Sequence, residues 1–392
     1  MEIPVYLDYA ASTPVQPGVA AAMDECLRSA AGTANPAAIG HAPGRAAAAL
    51  VEQAGQRVAE LIGAETREIV WVSGATEADN LAIIGTAHFR RRRGRHLVTA
   101  LNEHPAVLES CRYLERSGFA VTYLRPDHQG LIGVEQVAAA LRDDTILVSL
   151  MHVNNETGVI HDIAAIGALC RQRDILLHVD AAQSAGRLLL NVRAQAVDLL
   201  SLSAHKMGGP KGIGALFIDA ERLRRVEPLL HGGGQQRGLR PGTLATHQIH
   251  GMGLAAQLAA GNLQAEPPRL SRLRDRLWQR LQHIEGLLLN GHPTQRACHI
   301  LNFSVTGVAG ESLLLALDDL ALASGSACAT ASEDASPGLR SLGRDDQLAQ
   351  SSLRISLGAG SNDEQIDFAA ARIEAAITRL RGLARPPQRA DD

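Results

Sequence analysis

Lysine is almost absent from this chain. Of 38 lysine and arginine residues only two are lysine, Lys206 and Lys211. Both lie in Ser203-Ala204-His205-Lys206-Met207-Gly208-Gly209-Pro210-Lys211-Gly212. Arginine replaces lysine as a surface charge, but its guanidinium does not deprotonate and cannot serve as a nucleophilic amine. Lysines kept against that bias, and kept together, point to amine chemistry. Asp180 ends the segment His178-Val179-Asp180-Ala181-Ala182-Gln183, 26 positions before Lys206. By itself it reads equally as a helix N-cap or as the partner of a buried cation. An amine and a carboxylate that meet at one end of a sheet are what pyridoxal phosphate requires, with further donors for its phosphate.

Three other groups have chemical potential. In Ser73-Gly74-Ala75-Thr76-Glu77, glycine permits a tight turn, and helix N–H groups plus the Thr76 hydroxyl suit a phosphate. The same residues also read as an ordinary capping box from Thr76 to Asp79. His104, in Asn102-Glu103-His104-Pro105, follows an apolar run and is either structural or functional. Cys328 lies in Ala323-Ser324-Gly325-Ser326-Ala327-Cys328-Ala329-Thr330-Ala331-Ser332, a small-residue stretch expected to be a mobile loop. The other cysteines (Cys26, Cys111, Cys170 and Cys298) fall in predicted helices or beside apolar strands, where a thiol is inert.

These residues need a scaffold, and the patterning supplies one. Short apolar runs at 69–73, 96–100, 119–124, 145–151, 175–180, 198–203 and 214–218 read as strands. Helical patterns begin near Thr76, Ala106 and Ala164. Strand–helix alternation with continuous apolar strands predicts an α/β fold with a mostly parallel sheet covered on both faces. Sites in such sheets collect at the carboxyl ends of strands. After about residue 261 the pattern changes. A helix is expected over 269–289, with Leu270, Leu273, Leu277, Leu281 and Ile284 on one stripe. Strands follow at 299–305 and 352–356, then a helix near 363–383. This is a second, smaller α+β unit, ending in a frayed tail over 384–392.

Composition narrows the function classes. The net charge of -3 gives no general reason to expect nucleic-acid binding. No apolar run is long enough to span a membrane, and Met1 to Tyr6 does not read as a signal peptide. Five scattered cysteines without CxxC or a Cys/His cluster argue against a disulfide framework or an intrinsic metal site. The expectation is a soluble cytoplasmic protein. There is no Walker motif and no GxGxxG, so a nucleotide-binding oxidoreductase has little support.

Taken together with Tyr6-Leu7-Asp8-Tyr9-Ala10-Ala11, Asn154-Asn155-Glu156-Thr157-Gly158, Gly232-Gly233-Gly234-Gln235-Gln236-Arg237-Gly238, Gly242-Thr243 and Arg354-Ile355-Ser356-Leu357-Gly358, the chain resembles the cysteine desulfurases of the NifS/IscS group, nearer its housekeeping members. The resemblance runs from about Val5 to Leu383. It implies a pyridoxal-phosphate-dependent homodimer of the aspartate-aminotransferase fold (type I). The large cofactor-binding domain would cover 15–260. The small domain would comprise 1–14 and 261–383 and carry the cysteine loop at about 323–337.

The resemblance further implies roles for individual residues. Lys206 would hold the cofactor covalently and move the substrate α-proton. Asp180 would pair with the pyridinium nitrogen and Gln183 would bond the ring oxygen. His104 would stack on the ring and take the substrate thiol proton. Ala75, Thr76, Ser203 and His205 would bind the phosphate, and Thr243 would reach the phosphate in the other subunit. Asn155 would contact cofactor or substrate, and Arg354 would clamp the substrate carboxylate. Cys328 would accept the sulfur as a persulfide. The implied reaction converts L-cysteine to L-alanine, with sulfur passing to acceptor proteins such as an iron–sulfur scaffold, whose cluster the persulfide would meet. Iron–sulfur assembly, other thio-cofactor pathways and tRNA thiolation are the destinations implied. Alternatives are a selenocysteine lyase, another type I enzyme of this cofactor, or a non-catalytic sulfur-relay scaffold. The chain departs from the pattern at Gly208, at Pro241 and after Cys328, and its tail does not resemble the one that docks the scaffold.

Overall fold

The computed structural model describes residues 4–220, 225–325 and 336–384. Cys328 and most of the 384–392 tail lie outside the described residues, as does most of the 323–332 stretch read as a loop.

Thirteen strands are described: β1 (Val5–Tyr6), β2 (Ile69–Val72), β3 (His96–Ala100), β4 (Ala120–Leu124), β5 (Thr145–Met151), β6 (Leu176–Asp180), β7 (Leu199–Ser203), β8 (Gly214–Ile218), β9 (Leu287–Leu289), β10 (Ile300–Val305), β11 (Leu320–Ala321), β12 (Ala323–Ser324) and β13 (Ser352–Ser356). Seven form one sheet in the order β2-β8-β7-β6-β5-β3-β4. β8 runs antiparallel to both its neighbours, and the other pairings are parallel. The mostly parallel sheet expected from the apolar runs is present. Its strands are mostly apolar because helices cover both faces. On one face Val148, Leu177, Val179, Leu200 and Phe217 pack with helices Ala42–Ile62, Ile163–Gln172 and Thr246–Asn262. On the other, Val70, Leu97, Leu147, Leu176 and Leu216 meet helices Ala75–Arg90 and Pro105–Arg116.

A second, antiparallel sheet has the order β12-β13-β10-β9. Its core includes Leu270, Leu273, Leu277 and Leu281 from helix Glu266–Leu281, and Ile366, Ile373 and Ile377 from helix Asp363–Ala384. The helix expected over 269–289 is therefore too long. It stops at Leu281, and Leu287–Leu289 pairs with β10 instead. The break lies at Gly286, at φ +72, where an added Cβ would sit 2.0 Å from Thr306 Oγ1. Only glycine makes that turn, while the leucines beyond it continue the apolar pattern and hide the change.

The first residues join the two sheets. β1 pairs with β11, and Ser356 N donates to Leu7 O at 2.7 Å. Asp8 through Gln16 then cross to the end of the large sheet that holds the cavity.

Candidate active site

The carboxyl ends of β5, β6 and β7 open on a cavity of about 550 Å³. The sequence-predicted residues Ala75, Thr76, His104, Asn155, Asp180, Ser203, His205, Lys206 and Arg354 all line it. They arrive from several different elements, which is the arrangement expected of parallel sheets.

Lys206 ends a short 3-10 turn, Ala204–Lys206, that follows β7 directly. Thr13 straps this turn. Its N–H and hydroxyl both donate to His205 O at 2.8 Å, and its Oγ1 accepts from Gly208 N at 2.8 Å. Gly208 is at φ +83, and its carbonyl accepts from Gln16 N at 2.9 Å. The backbone that presents the lysine is thus fixed from both sides.

Asp180 is the last residue of β6 and accepts from Ala182 N at 2.9 Å. A turn follows rather than a helix, so the N-cap reading of Asp180 fails. Beneath it lie two more buried acids, Asp79 and Glu103. Burial, followed for both by the nearby Asp180 charge, pushes their carboxyls well above the usual range. Like charges so close do not all ionise, so the cluster does not carry three charges. His178 supports the same floor. Its two ring nitrogens meet Ser149 Oγ at 2.8 Å and Ser201 Oγ at 2.9 Å, tying β5, β6 and β7 together. Burial lowers this imidazole to about 4, so it stays neutral.

The turn at Ser73–Ala75 is built for close approach. A Cβ at Gly214 would come 2.7 Å from Gly74 Cα, so β8 must be glycine there for the turn to lie on it. Helix Ala75–Arg90 has Gly74 as its cap residue, with no side chain bound to its first N–H groups. The capping box expected from Thr76 is therefore absent: Thr76 sits inside the first turn, not at the cap. Ser203 Oγ is buried without a hydrogen-bond partner. His205 is brought down to about 4 by burial and by the charges of Lys206 and Lys211. An orphaned hydroxyl, an uncapped helix N-terminus and a neutral imidazole suit a phosphate. With Lys206 and Asp180 at the same cavity, the residues fit pyridoxal phosphate.

His104 caps helix Pro105–Arg116, and its Nδ1 accepts from Ala106 N at 3.1 Å. The neutral ring therefore carries its proton on Nε2. Burial lowers its pKa, which favours this neutral form.

Arg354 is fully buried in β13. Its Nη2 donates to Asp8 Oδ1 at 2.8 Å and its Nη1 to Asn155 O at 2.9 Å, while Nε is buried without a partner.

Two expected residues stand apart from the cavity lining. Gln183 Nε2 donates to Ala10 O at 2.8 Å, and its Oε1 lies 3.4 Å from His299 Nε2. Thr243 is exposed on this chain. Residues missed as site builders are Thr13 and Asp79. Asp79 ends the capping-box pattern read above, but its burial has no local sequence signature. Among the described residues no His/Cys/Asp/Glu cluster is arranged to hold a metal. The four described cysteines are buried, with Cys111 and Cys170 pushed up to about 12 by burial.

This fold and site belong to a known class: the chain is a member of the Aminotransferase class-V family, whose pattern it matches over residues 5–368. It is accordingly a pyridoxal-phosphate-dependent enzyme. It is 53% identical over 383 residues to "Cysteine desulfurase IscS" of Shewanella loihica, covering 98% of this chain and 95% of the relative. Among solved structures, a NifS-like protein superposes with a TM-score of 0.89 at 31% identity, covering 96% of this chain and all of the other. A structure described as SspA in complex with cysteine gives 0.79 at 36% identity, covering 90% and 98%.

Proposed function

We propose that this chain is a cysteine desulfurase that converts L-cysteine to L-alanine and keeps the sulfur as a persulfide on Cys328. The observation that carries the reading is Lys206 and Asp180 beside an orphaned Ser203 hydroxyl in one cavity, in a chain 53% identical to a named cysteine desulfurase.

Bound in the cavity, the cofactor would act as an electron sink for the substrate α-carbon. Lys206 would hold it covalently and, once released, carry the α-proton. Asp180 would keep the ring nitrogen protonated. Ala75, Thr76, Ser203 and His205 would hold the phosphate. Thr243, exposed here, would complete the partner's phosphate site in a homodimer. Arg354 would orient the substrate carboxylate, with Asn155 beside it. Gln183 would have to exchange its bond to Ala10 to reach the ring oxygen. The Cys328 thiolate attacks the substrate sulfur: the C–S bond breaks and an S–S bond forms. The carbon takes the electron pair and a proton, so L-alanine leaves and Cys328 keeps the sulfur.

For His104, the bond from Ala106 favours a hydrogen-bond donor over a base. Protonating Nδ1 would place two N–H groups face to face and break the helix cap. His104→Gln, which keeps a donor, is expected to stay within about tenfold of the parent, while His104→Ala falls about 10²–10⁴-fold. Equal losses in the two variants, measured as kcat across pH, would reject the donor role.

We divide the chain into a 15–260 domain and a 1–14 plus 261–383 domain, a reading supported by separate apolar cores around the two sheets. No described helix is long and apolar enough to cross a membrane. A cytoplasmic enzyme that hands sulfur to acceptor proteins, an iron–sulfur scaffold among them, is the setting this reading implies.

The deciding assay is L-alanine formed from L-cysteine by holoenzyme, with and without added thiol. Many turnovers with thiol and about one without are expected, since the persulfide must be cleared. No alanine in either condition, from protein shown to hold the cofactor, would overturn the reading. Relative turnover of selenocysteine separates the lyase alternative.

A further inference from the structure

A second cavity, of about 400 Å³, adjoins the first, and Lys206 is the one described residue that lines both. The lysine turn is therefore the wall between them. The rest of the second cavity is built by the crossing first segment, the end of helix Thr246–Asn262, the turn that follows β6, and residues on the side of the second sheet.

Two hydrogen-bond donors in this cavity have no acceptor. Tyr9 is buried, yet its hydroxyl makes no hydrogen bond among the described residues. A buried tyrosine hydroxyl ordinarily finds a partner. Arg187 is half-buried, and its guanidinium has neither a hydrogen bond nor an ion pair among the described residues. The backbone fixes where it stands. Arg187 N donates to Ser184 O at 3.0 Å, and Gly186 before it is at φ +72, where an added Cβ would come 2.8 Å from Ala259 Cβ. Arg187 lies within electrostatic reach of Tyr9 and of Glu266. Glu266 is the one carboxylate lining the cavity, and it is already engaged. Arg269 Nε donates to its Oε2 at 2.8 Å and Nη2 to its Oε1 at 2.7 Å. The charge left without a counter-ion is that of Arg187.

We propose that this cavity binds a small monocarboxylate, whose carboxylate is held by the Arg187 guanidinium and the Tyr9 hydroxyl at the back of the lysine turn. The site goes beyond the desulfurase reading and does not depend on it.

A guanidinium taken partly out of water without an acceptor is costly, and an anion removes that cost. A carboxylate matches its planar fork and accepts a hydroxyl as well. The nearby Glu266 charge repels a dianion more than a monoanion, which disfavours inorganic phosphate. Val15, Met207 and Ala259 offer apolar wall to a short carbon body. Such a carboxylate could be a simple organic acid or an amino acid, L-alanine included. Its place has a consequence. Thr13 and Gln16, which tie the lysine turn, line the same cavity, so the ligand packs against those ties.

The test uses the holoenzyme and propionate. Arginine modification by 2,3-butanedione is followed peptide by peptide by mass, which reports on Arg187 and Arg354 separately. Calorimetry gives the propionate affinity. Saturating propionate is expected to slow modification of Arg187 about tenfold. Arg187→Met and Tyr9→Phe should each weaken the calorimetric binding assigned to this site, the first by at least about tenfold, the loss of a bond to a charged group. Tyr9→Phe removes one hydroxyl and keeps the ring, so it decides the matter if Arg187→Met does not fold. Cofactor absorbance controls for folding, and Arg187→Lys, which keeps the charge, should recover part of the affinity. L-alanine in place of propionate separates the two sources: tighter binding identifies an amino acid, weaker binding a simple acid. Propionate that protects only Arg354, or that binds both variants as it binds the wild type, would overturn the proposal. So would phosphate binding more tightly than propionate. An Arg187 that stays unmodified with and without propionate would mean that the assembled protein covers the cavity, and would overturn it too. A holoenzyme that makes no alanine would overturn the desulfurase reading alone and leave these measurements intact.

Discussion

Lys206→Ala is expected to abolish turnover and, with it, every covalent tie between protein and cofactor. The loss of the proton carrier alone costs about 10²–10⁴-fold, and the loss of the amine removes the attachment as well. Borohydride reduction followed by intact mass reads the attachment directly: the parent gains the mass of the cofactor and the variant does not. Lys211→Ala provides the control. Lys211 is the one other lysine in the chain and it also lines the cavity, yet the strapped turn presents Lys206. Lys211→Ala should therefore still gain that mass. A Lys206→Ala protein still fixed to its cofactor by reduction would remove Lys206 from its role. Arginine at 206 would not restore the attachment, since it keeps the charge but offers no deprotonated amine.

The second large effect is expected at Cys328. Cys328→Ala should bind the cofactor with unchanged absorbance and still change colour with L-cysteine, yet release alanine only at background rate. No other described thiol can stand in. Cys26, Cys111, Cys170 and Cys298 are all buried, and burial raises each of them. A thiol held near 12 presents almost no thiolate at neutral pH. Radioactive sulfur from labelled cysteine should remain on the parent after gel filtration and be absent from the variant. A variant that retains the label, or that turns over normally, would mean that sulfur is taken up elsewhere.

How far the site was legible depends on how its residues reach one another. Lys206 and Asp180 could be read because each lies at or just beyond the end of an apolar run, and parallel strands bring their ends together wherever they lie in the chain. The phosphate-binding turn could be read in part: Gly74 and Thr76 mark it, but the capping box they also resemble is excluded only by the observed cap. The orphaned Ser203 hydroxyl has no signature, because a serine ending a strand is ordinary until its surroundings are known. Thr13 was hidden for a related reason. Its role lies in contacts with His205 and Gly208, set by tertiary packing and without periodicity. The helix that ends at Leu281 shows the same limit within the fold. Leucines on both sides of Gly286 carry one pattern through two different structures.

The crossing made by the first residues also bears on the order of events during synthesis. Asp8 finds Arg354, and Ala10 N finds Ser356 Oγ, each across a separation of 346 positions. Thr13 ties the lysine turn 192 positions away. Elements from the middle of the chain can assemble the large sheet as they leave the ribosome, since its strands all lie between residues 69 and 218. The catalytic centre cannot be finished then, because Asp8 must wait for Arg354, 346 positions later. Closing so long a loop is slow. Acquisition of the cofactor-competent state should therefore come late, after the large sheet has formed.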